Sequence, residues 1–107
     1  MGGERTGQVA IIFVSQRTPD DEAGYAAAAS QMEAAAAAQP GYRGIESARG
    51  ADGLGITISY WADEASAIAW RANAEHARIR DLGRARWYQW YRLEVTEVGR
   101  DYSWSRG

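Results

Sequence analysis

The alternation of apolar and polar residues along this chain predicts four β-strands. Residues Val9–Val14 form a continuous apolar run, which is typical of a strand covered on both faces. Residues 42–49 and 54–61 alternate on either side of the glycine-containing turn Gly50–Gly53, so they predict a hairpin. Bulky residues alternate again over Trp87–Val98 and predict a long fourth strand.

Two segments between these strands carry helix signals. Thr18 and Pro19 predict the start of a first helix, because threonine caps helices and proline favours their first position. An alanine-rich run with high helix propensity continues to Ala38. Asp63 predicts the cap of a second helix over residues 64–80, where apolar residues recur at helical spacing.

The order of these elements, β-α-β-β-α-β, predicts a ferredoxin-like α+β fold in which both helices cover one face of an antiparallel sheet. The chain of 107 residues predicts a single domain, with residues 1–7 as a flexible leader and residues 100–107 as a C-terminal tail. Because the first strand is apolar on both sides, the sheet face without helices also needs burial. We therefore expect a homodimer in which two sheets close into an α+β barrel.

The composition indicates what fills the core. Leu, Ile, Val and Phe together contribute 15 residues, whereas the chain has 21 alanines, 5 tryptophans and 6 tyrosines. A buried aromatic side chain removes about 150–250 Å² from water. We therefore expect a core of rings and small residues rather than one of branched aliphatic side chains.

Charge and cysteine content exclude several classes of function. The net charge of -2 gives no basic surface for a polyanion, so no nucleic-acid partner is expected. The absence of cysteine excludes disulfides and thiol nucleophiles, and one histidine is too few for an all-histidine metal site. No apolar run approaches the roughly 20 residues of a membrane span, and the first residues lack the apolar segment of a secretory signal. We therefore expect a cytoplasmic protein with neither a metal nor a membrane partner.

Three segments carry a resemblance to a known family. The run Ser59–Trp70, with its Tyr-Trp pair, acidic turn and second tryptophan, resembles the strand-to-helix signature of the antibiotic biosynthesis monooxygenases. Pro40-Gly41-Tyr42 resembles the family's entry to the second strand, and residues 87–102 resemble the last strand of one bacterial subgroup. The resemblance covers residues 8–102. It implies a dimeric ferredoxin-like subunit with a pocket between helices and sheet.

The resemblance implies an oxygenase that needs no cofactor, because a phenol or quinol substrate itself supplies the electrons to O₂. The enzyme then binds the ring, removes a hydroxyl proton and stabilises the anion. His76 is a candidate base, since an ordinary imidazole titrates near neutrality. The candidate catalytic residues are His76, Trp70 and Asn73. The candidate substrate-binding residues are Trp61, Arg80, Trp87, Tyr91 and Arg92.

Other interpretations of the same residues stay open. The charged surroundings of His76 also fit a surface imidazole, and the tryptophans also fit core anchors. The haem-degrading branch of the family uses an asparagine on strand one, a helical tryptophan and, about ten residues later, a histidine that binds iron. Trp70 matches that tryptophan, but Asn73 stands on a helix and Arg80 occupies the ligand position, which leaves haem as an alternative cofactor. A third alternative is a dimeric protein that binds a small aromatic molecule without catalysis.

Overall fold

The sheet in the computed structural model, which describes residues 4–107, is built around β1 (Val9–Arg17). β1 pairs antiparallel with β3 (Leu54–Trp61) on one side and with β4 (Tyr88–Glu97) on the other. β2 (Tyr42–Arg49) pairs antiparallel with β3, so the strand order is β2-β3-β1-β4. This arrangement confirms the predicted ferredoxin-like α+β fold.

The central position of β1 explains why its first six residues, Val9–Val14, are all apolar. Side chains alternate between the two faces of a strand. Val9 and Ile11 belong to the core beneath the helices, and Phe13 lies on the same face. Ala10, Ile12 and Val14 therefore point to the face that carries no helix.

The first helix, α1, covers Glu22–Ala37 and begins later than the predicted start at Thr18 and Pro19. Its cap is Asp21, whose carboxylate accepts the backbone N–H of Gly24 at 3.2 Å. Asp21 has a φ of 54°, a left-handed conformation that aspartate tolerates better than most residues. The Thr18 hydroxyl donates instead to the carbonyl of Arg86 at 2.7 Å, so it ties the preceding turn to the end of the helical layer.

The predicted second helix is two helices. α2 covers Glu64–Arg71, and Asp63 caps it as predicted, by accepting the Ser66 N–H at 2.8 Å. α3 covers Ala74–Leu82 and starts directly after Asn73. The break arises because the Asn73 side chain accepts a backbone N–H that a continuous helix would pair with a carbonyl.

The helical layer ends in a single π-helical turn, Gly83–Trp87, that leads into β4. The helical structure therefore extends beyond the predicted end at residue 80 and continues up to the strand. All helical segments face the same side of the sheet. Within residues 4–107 no helix has the length and apolar character needed to cross a membrane.

Tryptophans and alanines form much of the core. Among the described residues, the eleven buried hydrophobic ones include three tryptophans and four alanines, which agrees with the expectation from composition. Trp61 is fully buried, stacks on Trp70 with ring centres 5.7 Å apart, and meets Tyr42 edge to face. Ala36 and Ala67 are the small residues that pack against this cluster.

The two ends of the chain meet at one side of the sheet. The Asp101 carboxylate accepts the backbone N–H of Arg5 at 2.8 Å and the hydroxyl of Thr6 at 2.9 Å. The Gly7 N–H donates to the carbonyl of Val98. Residues 5–7 are thus attached to the C-terminal segment, whereas residues 1–3 of the predicted leader lie outside the described residues.

We predict that Trp61→Ala lowers the free energy of unfolding by about 3–5 kcal/mol, because it removes a large buried ring and leaves a void. Urea unfolding followed by circular dichroism measures the change. Trp104→Ala is the matched control, since this tryptophan is 78% exposed in the tail and its loss should change stability by less than about 0.5 kcal/mol. Equal effects of the two substitutions would contradict the core described above.

Candidate functional site

A cavity of about 360 Å³ lies between the helical layer and the sheet. Its volume falls in the range of about 300–1,000 Å³ that is usual for small-molecule sites. The sheet forms its floor with residues such as Ile11, Phe13 and Leu93, and α1 forms its roof with Ala28, Ala29 and Met32. Seven of its lining residues carry rings. The rings that line it are Tyr25, Trp70, His76, Trp87, Tyr88 and Tyr91, together with Phe13.

His76 lies flat on Trp70 at one wall of the cavity. The two ring centres are 4.8 Å apart and the ring planes differ by 8°. Residues six positions apart in a continuous helix point about 120° away from each other, so they could not stack. The break between α2 and α3 brings the two rings together, and the backbone N–H of His76 donates to the Asn73 side chain at 3.2 Å.

A hydrogen bond fixes the orientation of the His76 ring. Nδ1 lies 3.1 Å from the carbonyl oxygen of Trp70. A neutral imidazole that donates from Nδ1 keeps a free lone pair on Nε2, which can accept a proton. The ring is thus held as a base by a backbone group.

Burial lowers the pKa of His76 below its ordinary value. The hydrogen bond to Trp70 opposes this effect, while the positive charges of Arg80 and Arg71 add to it. The imidazole is therefore neutral at pH 7, which is the protonation state that a general base requires.

The opposite part of the cavity carries phenol groups. The Tyr25 hydroxyl accepts from Nη2 of Arg49 at 3.1 Å, and the same nitrogen donates to the fully buried Ser15 hydroxyl at 2.9 Å. Burial raises the pKa of Tyr88 far above its ordinary value, so this phenol stays protonated at neutral pH. Tyr88 also meets Phe13 edge to face. The cavity therefore has an imidazole on one wall and phenol hydroxyl groups elsewhere in its lining.

Sequence reasoning did not select Tyr25, Arg49 or Tyr88. A signal for Tyr25 was present, because it is the one aromatic residue between Ala23 and Ala38 and so interrupts a run of small side chains. Arg49 carried no signal, since its side chain reaches Tyr25 across Gly55 and Ser15 and so depends on the register of three strands.

Five of the eight candidate residues line the cavity: His76, Trp70, Arg80, Trp87 and Tyr91. Trp61 does not, because it is buried behind Trp70 and its indole N–H donates to the Ser59 hydroxyl at 3.0 Å.

Asn73 and Arg92, the other two candidate residues, are not among the residues that line the cavity. The Asn73 side chain caps α3, so it positions His76 through the backbone rather than by facing a ligand. Arg92 pairs in register with Val14 on the face without helices, and its Nε lies 3.9 Å from the carboxylate of Glu94. Adjacent strand residues point to opposite faces, so Tyr91 and Arg92 cannot both line the cavity.

The cavity does not reproduce the ligand set of the haem-degrading branch, although the imidazole of His76, four residues before Arg80, also lines it. The position at which the haem-degrading branch has its iron ligand is Arg80, and a guanidinium has no lone pair to donate to iron. The strand-one asparagine of that branch is also absent, since β1 contains no asparagine. Among the side chains that the structure describes, which leave out residues 1–3 and 74–75, no group of three or more His, Cys, Asp or Glu could hold a metal ion.

Comparisons with known proteins give similarities over most of the chain. A family model described as antibiotic biosynthesis monooxygenase matches residues 8–82. The uncharacterized protein YqjZ of Bacillus subtilis is 43% identical over 91 residues, which cover 85% of this chain and 79% of YqjZ.

Solved structures are similar at much lower identity. SnoaB, a cofactor-independent oxygenase from Streptomyces nogalater, has a TM-score of 0.74 and 16% identity, over 87% of this chain and 94% of SnoaB. A conserved protein from Methanosarcina mazei has a TM-score of 0.78 and 9% identity, over 88% of this chain and 95% of that protein. At these identities the likeness establishes a common fold.

We predict that the stability of the folded protein falls when His76 must take up a proton. The unfolded chain binds this proton at the ordinary pKa of 6.5, and the folded chain binds it only at a lower pH. The imidazole's contribution to stability is therefore complete above pH 6.5 and is lost as the pH falls through the folded pKa.

An NMR titration of the single imidazole measures its pKa in the folded protein directly. Urea unfolding between about pH 7 and pH 5 measures the accompanying loss of the free energy of unfolding. His76→Gln should flatten the pH dependence in this window. A folded pKa at or above the ordinary value would contradict the buried position of His76.

Proposed function

Because the chain belongs to the antibiotic biosynthesis monooxygenase family, we propose that it is a cofactor-independent monooxygenase that oxidises a small phenol or quinol with O₂. The observation that carries the proposal is the imidazole of His76, whose Nδ1 lies 3.1 Å from the Trp70 carbonyl oxygen at the wall of a cavity lined by aromatic rings. This chain shares its fold with SnoaB, a cofactor-independent oxygenase.

The first step is removal of a hydroxyl proton. Nε2 of His76 accepts the proton from a substrate whose ring lies in the cavity beside Trp70. The electron-rich anion then reacts with O₂: one oxygen atom forms a bond to a ring carbon, and the other leaves as water with two hydrogens from the substrate. A quinol thus gives a hydroxyquinone, and the substrate supplies every electron that reduces O₂.

The surroundings of His76 favour the anion that this step forms. Arg80 and Arg84 line the same cavity and carry positive charge at neutral pH. A largely apolar wall excludes water, which strengthens the attraction between a guanidinium and a phenolate oxygen. These residues stabilise the charge that develops when the proton leaves.

Binding without catalysis is the alternative that the same cavity permits. An aromatic wall and a fixed imidazole also bind a phenol that never reacts with O₂. Oxygen consumption separates the two functions, because only the oxygenase converts bound substrate.

We also propose that two chains associate through the sheet face that carries no helix. On this face Ile56 is 47% exposed, Trp90 is 44% exposed, and Ile12 and Ile58 are half-buried. An apolar strip of this kind on a sheet favours burial against a second copy. The charged Arg92 and Glu94 lie on the same face, so they would border the contact.

We predict that the protein consumes O₂ with at least one member of a panel of hydroquinones and anthrones, and that His76→Gln lowers the rate about 10²–10⁴-fold by removing the base. An oxygen electrode and product mass measure turnover. Arg92→Gln is the matched control and should leave the rate unchanged, because Arg92 faces away from the cavity. A wild-type protein that binds these compounds without O₂ uptake would favour the binding function, and equal rates in both variants would contradict the role of His76.

We predict that Ile56→Glu converts the homodimer into monomers, because it buries a carboxylate in the proposed contact between sheets. Sedimentation velocity measures the mass. Ile68→Glu is the control, since Ile68 is 60% exposed on α2, on the other side of the molecule. A wild-type protein that sediments as a monomer would refute the proposed association.

A further inference from the structure

We propose that the substrate is an aromatic acid whose carboxylate is bound by Arg80 and Arg84 at the rim of the cavity, next to the hydroxyl that His76 deprotonates. This inference rests on the proposed function in one respect, since it takes the cavity as the substrate site. It adds the charge of the substrate and the position of that charge relative to the reactive hydroxyl.

The charges that line the cavity are unequal. Arg71, Arg80 and Arg84 contribute three guanidiniums, and Glu33 contributes one carboxylate among the described lining residues. His76 adds no charge at neutral pH. A concave site with an excess of positive charge attracts negative ligands, so the cavity favours an anion.

Arg80 has donor capacity that the protein leaves unused. Its Nε is buried and has no hydrogen-bond partner within residues 4–107. The nearby Asp81 carboxylate lies 3.9 Å away, beyond hydrogen-bond distance, and its side chain is 72% exposed. Buried polar groups in folded proteins nearly always have a partner, so this one calls for an acceptor. A carboxylate in the cavity would supply it.

Arg84 is held in place by a neighbouring ring. Its Nε donates to the Tyr91 hydroxyl at 2.6 Å, and Tyr91 stands on the floor of the cavity. This hydrogen bond does not involve the two terminal nitrogens of the guanidinium. The planar fork of an arginine matches the geometry of a carboxylate, whereas a neutral amide offers it a weaker acceptor.

The spacing of His76 and Arg80 restricts where the acid group sits on the ring. Both residues are on α3, four positions apart, and both line the cavity. Residues at this spacing are neighbours on one helix face, with about 5–6 Å between their Cβ atoms. A bound ring that meets both residues therefore carries its hydroxyl towards Nε2 of His76 and its carboxylate towards Arg80.

The test compares an acid with its neutral counterpart. Isothermal titration calorimetry of the full chain measures the Kd of 1-hydroxy-2-naphthoate and of 1-hydroxy-2-naphthamide, which share a ring and a hydroxyl. We expect the acid to bind at least about tenfold more tightly, since hydrogen bonds to charged groups are worth more than neutral ones. The preference should weaken as salt is added, because the rim arginines are partly exposed.

Variants assign the preference to residues. Arg80→Gln should remove most of the difference between acid and amide, Arg80→Lys should keep part of it, and Arg84→Gln should reduce it. Arg92→Gln carries the same loss of charge on the other sheet face and should leave both Kd values unchanged. The thermal midpoint of each variant verifies that it is folded.

Several results would overturn the inference. They are equal Kd values for acid and amide in the wild-type protein, no binding of either compound, or an acid preference that survives both Arg80→Gln and Arg84→Gln. Oxygen uptake with 1,4-dihydroxy-2-naphthoate and its amide then separates this inference from the proposed function. Turnover of both compounds at equal efficiency would support the oxygenase function and refute the acid preference. Tight binding of the acid without turnover would support the acid preference and refute the oxygenase function.

Discussion

The hydrogen bond from the backbone N–H of His76 to the side chain of Asn73 is the interaction on which the site depends. It ends one helix and starts the next, and the change of direction turns His76 back onto Trp70. Without it, residues 64–82 would continue as one helix and the imidazole would point away from the indole. An asparagine on the outside of the cavity therefore determines the geometry within it.

The cavity itself follows from the unequal sizes of residues that face each other. The face of α1 that covers the sheet contributes alanines, Ala28, Ala29 and Ala36, while the opposite wall contributes rings such as Trp87 and Tyr91. Small side chains above a floor of large planar ones leave a space that aliphatic side chains of intermediate size would fill. The alanine and tryptophan content is thus a property of the site as well as of the core.

The order of strands and helices could be predicted from the sequence because the first strand is a continuous apolar run, the other strands alternate, and most turns contain a glycine or a proline. The break at Asn73 was missed because a helix pattern on both sides of one polar residue suggests continuity, although asparagine is a strong cap. The error over Arg92 was avoidable, since alternation already separates it from Tyr91. The reach of Arg49 to Tyr25 was beyond prediction, because it depends on which residues of β3 and β1 lie beside Arg49 in the sheet.

The charges around His76 link substrate binding to its basicity. In the free protein, burial and the positive charges of Arg80 and Arg71 both keep the imidazole neutral, but they also make it a weaker base. A carboxylate bound at Arg80 would offset one of those charges and add a negative one nearby, so the affinity of Nε2 for a proton would rise. The same arginine would then hold the imidazole unprotonated before binding and permit it to take the hydroxyl proton afterwards. A neutral phenol would leave the charge of Arg80 uncompensated. The imidazole of His76 would then be a weaker base beside a neutral phenol than beside an aromatic acid.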